Sequence, residues 1–341
     1  MIPKPHFHGH FNPFSDKPFL AYGTSLPLSQ QTDSLSGMEF GKLSSVDHVN
    51  WTLPAQDSLS QEFLLSLKPA TTQAKFYIGT PAWNHKEWIG KIYPKATKPA
   101  DFLTYYAQNF NTIELNTTHY RIPDSETVLK WRSQVSSDFV FCPKVFQGIS
   151  HSEPGMLDKK ILHEWFAFLD RLKDHRGPCF MQLPPHFDYS RRVILHRFLQ
   201  EWPSEFELTL EFRHPSWFEE GKILSKLTQF LQTKKIGLVI TDVAGRRDVL
   251  HSSISADFTM LRFIGNDLHP SDQTRVHDWA SRLSEWQNCG LKRVFFFAHE
   301  PDDINSPELA DIVVRELNTI CNAALKPMNW MDLTPAQGSL L

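Results

Sequence analysis

The chain has 341 residues, 41% of them hydrophobic and 13% aromatic, enough to bury a large core as one big domain or two; this excludes a disordered chain and a small disulfide scaffold. Lysine and arginine total 35 against 38 acids, so the formal charge is −3 and no overall basic field gathers nucleic acid or an anionic membrane. Cys142, Cys179, Cys289 and Cys321 are widely spaced without a C-x-x-C pair, the pattern of reduced thiols in a cytoplasmic protein.

Residues 1–75 are rich in Pro, Ser, Gln and Gly, lack sustained periodicity and read as an irregular N-terminal extension. Pro3, Pro5, Pro13 and Pro18 interrupt any apolar stretch of the kind a signal peptide needs, and no later segment offers the roughly 20 apolar residues of a membrane span. Phe7, Phe11, Phe14 and Phe19 are apolar enough for parts of this leader to lie on the domain surface. In Pro5-His6-Phe7-His8-Gly9-His10, alternate histidines of an extended chain would face one way and could share a transition metal; an incidental histidine-rich tail is the favoured reading.

From residue 76 to 325, eight apolar, β-branched or aromatic runs recur: Phe76 to Thr80, Thr112 to Thr118, Phe139 to Val145, Cys179 to Leu183, Leu208 to Arg213, Gly237 to Val243, Phe258 to Ile264 and Val294 to His299. Helical periods lie between them, as in Leu157 to Leu172, with Leu162, Trp165, Phe166 and Leu169 on one stripe, and in Thr274 to Trp286. Ser216 with Glu219 reads as a capping box, and Asn305 or Ser306 before Pro307 as a helix start. Eight βα units over about 250 residues predict an α/β fold, a TIM-like (β/α)8 barrel, with a short C-terminal tail at 326–341. An open doubly wound sheet is the alternative, but the glycine-rich turn after its first strand is missing, as are G-x-G-x-x-G and the P-loop.

Barrel strands are apolar on both faces except near their carboxyl ends, so polar residues in them are informative. Ile113 and Leu115 alternate with Glu114, Asn116 and Thr118; Phe141, Pro143 and Val145 with Cys142 and Lys144; Met181 and Leu183 with Gln182; Leu208, Leu210 and Phe212 with Thr209, Glu211 and Arg213. Asp242 and Arg262 each come late in an otherwise apolar strand. These residues predict a polar ring in the barrel mouth, with Lys144, Arg213 and Arg262 gripping an anion and Glu114, Glu211 or Asp242 moving protons. A set of ion pairs plugging the barrel is the competing reading. Lys144 could alternatively form a Schiff base, although a simple structural or phosphate-binding lysine is preferred.

Asn116, Tyr120, Gln182, His214, Trp217 and Trp83 complete the expected ligand-binding set. His214 reads equally as a turn histidine, and Trp217 as core packing beneath a helix. Trp83, Trp88 and Tyr93, with His85, Lys86 and Glu87 nearby, form an aromatic loop after the first strand, either a lid that stacks on a sugar face or a small cap over the barrel. Single-stranded nucleic acid is a less favoured occupant. No cofactor is expected. A divalent metal on Glu114, Glu211, Asp242, His299 and His214 is the runner-up, weakened by the interleaved cations and by the lack of H-x-H or H-E-x-x-H on these strands. No G-x-S-x-G elbow supports serine hydrolase chemistry.

Gly79-Thr80-Pro81-Ala82-Trp83, Phe110 to Asn116 with Thr118 and Tyr120, Phe141-Cys142-Pro143-Lys144, Gln182-Leu183-Pro184-Pro185 and Glu211 to Trp217 resemble the YecE-like family, domain of unknown function 72. The resemblance spans roughly residues 76 to 322 and implies a TIM-like barrel whose biochemical role is not established. Pro81-Ala82 replaces the family's usual Ser-Gly after Gly-Thr, Ile264 stands near a position where the family often has histidine, and Ala298-His299-Glu300-Pro301 replaces an Asn-rich ending. From the polar ring, and not from the resemblance, the reading is a hydrolase, lyase or isomerase acting on a small phosphorylated or carboxylated sugar-like compound, with binding without turnover as the competing class.

Overall fold

The computed structural model describes residues 41–67 and 73–331. The leader phenylalanines, the histidines of Pro5 to His10 and residues 332–341 of the tail lie outside them.

Eight parallel strands form the frame: β1 (Lys75–Gly79), β2 (Thr112–Leu115), β3 (Val140–Pro143), β4 (Cys179–Gln182), β5 (Leu208–Glu211), β6 (Gly237–Asp242), β7 (Phe258–Ile264) and β8 (Arg293–His299). Six pair in the order β1-β8-β7-β6-β5-β4, and β2 and β3 pair separately, so the hydrogen-bonded sheet is not closed. At the β1/β2 seam, the Glu114 amide donates to the Thr80 carbonyl at 3.2 Å. The Asn111 side chain stands in for further ladder bonds there, accepting from the Ile78 amide at 2.7 Å and donating to the Phe76 carbonyl at 3.0 Å. Gly79 permits this approach, since a Cβ would collide with the Thr112 carbonyl. At the β3/β4 seam, the Val145 amide bonds the Phe180 carbonyl at 2.9 Å.

Period-two alternation sorts the side chains. Phe76, Ile78, Ile113, Leu115, Phe141, Met181, Leu210, Ile240, Leu261 and Phe296 pack outward into one large core with the helices. Tyr77, Val140, Cys142, Phe180, Val239, Phe258, Met260, Phe295 and Phe297 form a separate inner cluster that fills the base between the strands. Each such buried side chain contributes about 1.5–3 kcal/mol. That plug is the floor on which the polar residues of the carboxyl ends stand.

The helices follow their chemistry. Lys159–Arg171 begins at Asp158, whose Oδ1 accepts from the Lys160 and Ile161 amides at 2.9 and 3.2 Å. Its buried stripe is Leu162, Trp165, Phe168 and Leu169; Phe166 stacks sideways on Phe206 instead. Helices Pro270–Asn288 and Ser306–Cys321 carry proline in their first turns, and the latter starts at Asn305 as expected.

Three local expectations are corrected. Ser216 and Glu219 make no capping box: Pro215–Trp217 is a single 3-10 turn, followed by a hairpin of Phe218–Glu219 with Lys222–Ile223 that reverses at Glu220 and Gly221, both at positive φ. Thr118 leaves the strand pattern because Asn116–His119 is a 3-10 turn, and its hydroxyl bonds the Leu115 and Lys144 carbonyls. The extension is not irregular throughout. Ser58–Ser66 is a helix capped by Asp57, with Leu64 buried, and the Ser60 hydroxyl accepts from the Ile254 amide at 2.8 Å.

Candidate functional site

Beyond the carboxyl ends of the strands lies a cavity of about 890 Å³. Asn116, Lys144, Gln182, Arg213, Thr241, Arg262 and His299 line its lower part, and loops after β7 and β8 its upper part. Beneath, Glu114 and Glu211 are sealed from solvent at 0% and 1% exposure. Arg262 joins them: its Nε and Nη2 grip both oxygens of Glu114 at 2.9 Å, and its Nη1 reaches Glu211 Oε2 at 2.9 Å. Arg213 Nε takes the other Glu211 oxygen at 2.8 Å. Glu114 also accepts from Asn116 Nδ2 at 2.9 Å and lies 2.9 Å from His299 Nε2.

This wiring biases the charge of each group. Burial pushes the Glu114 carboxyl up, but Arg262 and His299 outweigh it and hold it well below its ordinary value. Burial likewise opposes the Glu211 anion, yet Arg262, Arg213 and Lys144 bring it down to about 2. Both carboxylates are paired with arginine guanidinium groups, Glu114 with Arg262 and Glu211 with Arg262 and Arg213. Lys144 behaves oppositely. Among the described residues its ammonium makes no ion pair, donating to Gln182 Oε1 at 3.1 Å. Burial, then the like charges of Arg262 and Arg213, lower it to about 7 against the pull of Glu211 and Glu114.

Asp242 is not part of this group. Thr241 is the inward residue of β6, paired with Arg262, so Asp242 faces the helices. There it meets Arg275 Nη2 at 2.8 Å, Trp279 Nε1 at 2.6 Å and Arg247 Nη1, and despite burial these arginines hold its carboxyl below the ordinary value. Trp217 is fully buried, donating to the Phe187 carbonyl at 2.7 Å and packed on Phe212: core, not ligand platform. His214 caps its own turn, accepting from the Ser216 amide at 3.2 Å, away from the cavity. Trp83 stands edge-on to Trp131, while Trp88 and Tyr93 are fully buried, so the aromatic loop forms core rather than a lid. Tyr120 does reach the cavity, on its rim and 66% exposed.

The proposed metal set is likewise dispersed: Glu114 and His299 adjoin, Glu211 is joined through Arg262, and Asp242 and His214 are elsewhere. Among the described residues no three His, Cys, Asp or Glu side chains gather in a metal-holding group. Sequence reasoning missed Thr241 and Glu300, and it gave His299 only a place among metal ligands. The inward parity of Phe295, Phe297 and His299 on β8 was the available signal for His299. Glu300 accepts from the Asp267 and Leu268 amides at 2.7 and 3.3 Å; burial, then Asp272, raise its carboxyl to about 8.

No helix among the described residues is long and apolar enough to cross a membrane. The family model "Protein of unknown function DUF72" matches residues 77–331. YecE of Escherichia coli K12 is 29% identical over 282 residues, covering 77% of this chain and 99% of its own length. YunF of Bacillus subtilis 168 is 29% identical over 149 residues, 42% of this chain and 52% of that protein. Crystal structures of DUF72 proteins from Enterococcus faecalis V583 and Thermotoga maritima MSB8 superpose with TM-scores of 0.56 and 0.55, at 18% and 20% identity. They cover 74% and 72% of this chain and 98% and 99% of their own, which shows a shared α/β fold built on parallel strands. The expected resemblance is thus met across most of the chain, which belongs to the DUF72 family.

Proposed function

We propose that this protein is an enzyme acting on a small anionic, sugar-like substrate, a hydrolase, lyase or isomerase whose site is the cavity at the strand ends. The reading takes the eight strands as one (β/α)8 ring with two thinly bonded seams, housed in a reducing cytoplasm where its cysteines persist as thiols. One observation carries it: Lys144, Arg213 and Arg262 line the cavity while the carboxylates that balance the arginines lie beneath it, so the floor presents cations to an incoming ligand. Arg213 and Arg262 are held by buried acids and bind; Lys144 titrates near neutrality and moves a proton or attacks a carbonyl. Glu114 and Glu211 organise the arginines and keep their charge throughout. His299 and Asn116 fix Glu114 from the cavity side.

Calorimetry with inorganic phosphate and hexose 6-phosphates tests the binding half. Lys144→Met is expected to weaken phosphate binding about tenfold, the loss of one hydrogen bond to a charged group. Absence of heat with every one of these anions at low salt rejects the reading. Turnover is read by following each bound compound by NMR. Persistence of all of them unchanged reduces the protein to a binding module. Borohydride trapping of a carbonyl-bearing ligand on Lys144 separates imine formation from proton transfer.

A further inference from the structure

One side of the cavity is built by residues outside the family region. Gly41 to Asp47 line it on the side of the β6 and β7 loops, whereas the family match begins at residue 77. The segment is anchored at Gly41 and Val46, and the chain that follows it at Trp51 and Pro54. The Gly245 amide donates to the Gly41 carbonyl at 2.8 Å, and Gly41, at φ +80°, sits so close to Val243 that a Cβ would meet its methyls at 3.0 and 3.1 Å. Val46 is buried, at 8% exposure. Further on, the Trp51 ring lies beneath the guanidinium groups of Arg275 and Arg247, 4.4 and 5.3 Å from its centroid, and its carbonyl accepts from Arg247 Nη2 at 3.2 Å. Asp242 holds both arginines from behind. Next, the Pro54 carbonyl accepts from the Ser252 hydroxyl and Arg282 Nη1, both at 3.1 Å.

The chemistry of this wall complements that of the floor. Leu43 and the buried Val46 give this wall its apolar part, Ser44 and Ser45 add short hydroxyl side chains, and Lys42 and Asp47 one charge of each sign, facing the same cavity that Lys144, Arg213 and Arg262 make cationic below. A ligand whose anion rests on the floor therefore sets the rest of its body against Gly41–Asp47. We propose that Gly41–Asp47 is a specificity-determining wall, which selects the ligand by the size and character of its non-anionic part, and that Trp51 is the residue that positions it. The proposal rests on the anion-binding reading above and adds what distinguishes this chain's ligand from that of a domain built from the matched region alone. Asp242, unconnected to the floor, acquires a role here as the buried anchor for the arginines that clasp Trp51.

The test compares dissociation constants of the full chain for inorganic phosphate, which needs only the floor, and for glucose 6-phosphate and ATP, whose bodies must pass the wall. In Val46→Trp, the glucose 6-phosphate constant divided by the phosphate constant is expected to rise about tenfold, because the indole fills space that the sugar occupies. In Trp51→Ala, which loosens the wall without enlarging any side chain in it, the ATP constant divided by the phosphate constant is expected to fall at least about threefold. A merely structural role would change stability and leave both ratios alone. A shift of either ratio in the stated direction upholds the proposal, and Trp51→Ala decides it if Val46→Trp does not fold. Both ratios within about twofold of wild type overturn it, with anion binding intact. A wild-type protein that binds none of the three probes sinks the anion reading, and the wall with it.

Discussion

Two buried arginine–carboxylate groups lie one residue apart in strand register and do different things. Arg262, Glu114, Glu211 and Arg213 point inward from the strand ends and form the floor of an open cavity. Asp242, Arg275 and Arg247 lie on the other face of the sheet, closed over by Trp279, Trp51 and the helix Pro270–Asn288. The ingredients are the same and both groups depress their carboxylates. What differs is which face of the pleat the acid occupies: Thr241 looks in, Asp242 looks out. Ion pairs at the strand ends of this parallel sheet are thus neither site nor plug by composition; the face decides.

Substitutions can break this contrast. The largest effect is expected from Arg262→Met, which strands two buried carboxylates and costs about 3–5 kcal/mol in urea unfolding, together with loss of phosphate binding by the folded protein. Asp242→Asn should cost about 2–3 kcal/mol, since the amide keeps some hydrogen bonds but two arginines lose their counter-charge, while phosphate affinity at the floor persists. Loss of phosphate binding in Asp242→Asn that still folds would erase the distinction between the two groups. Smaller still is an acid effect. Glu211 sits at about 2 when folded and at the ordinary 4.5 when unfolded, so its stabilisation is whole above 4.5 and drains away as pH falls toward 2. Unfolding midpoints measured across that window should decline, and Glu211→Gln, whatever its lower starting stability, should flatten the slope.

Much of the frame was legible in the chain. The strand runs were found within a few residues, because β-branched and aromatic stretches bounded by polar turns have few other ways to bury themselves. Inward parity was legible where polar and apolar residues alternate, as in Thr112 to Asn116, and this put Glu114, Lys144, Gln182, Glu211 and Arg213 together in advance. It failed in Gly237 to Asp242, where both faces are buried and Leu238, Val239 and Ile240 carry no alternation to read. Trp217 and His214 failed for a different reason. A motif-like cluster at a strand end signals a turn as readily as a site, and here the turn consumed both.

Local sequence determined the α/β alternation, the family and most of the floor, because hydrophobic period and helix caps act over a few residues. Tertiary structure alone decided that Asp242 serves as an anchor, that His299 lies against Glu114 across 185 positions of chain, and that Gly41–Asp47 walls the cavity. Those outcomes depend on which distant groups share a buried volume, and the electrostatic balance of a buried charge is fixed by its partners in space, not by its neighbours along the chain.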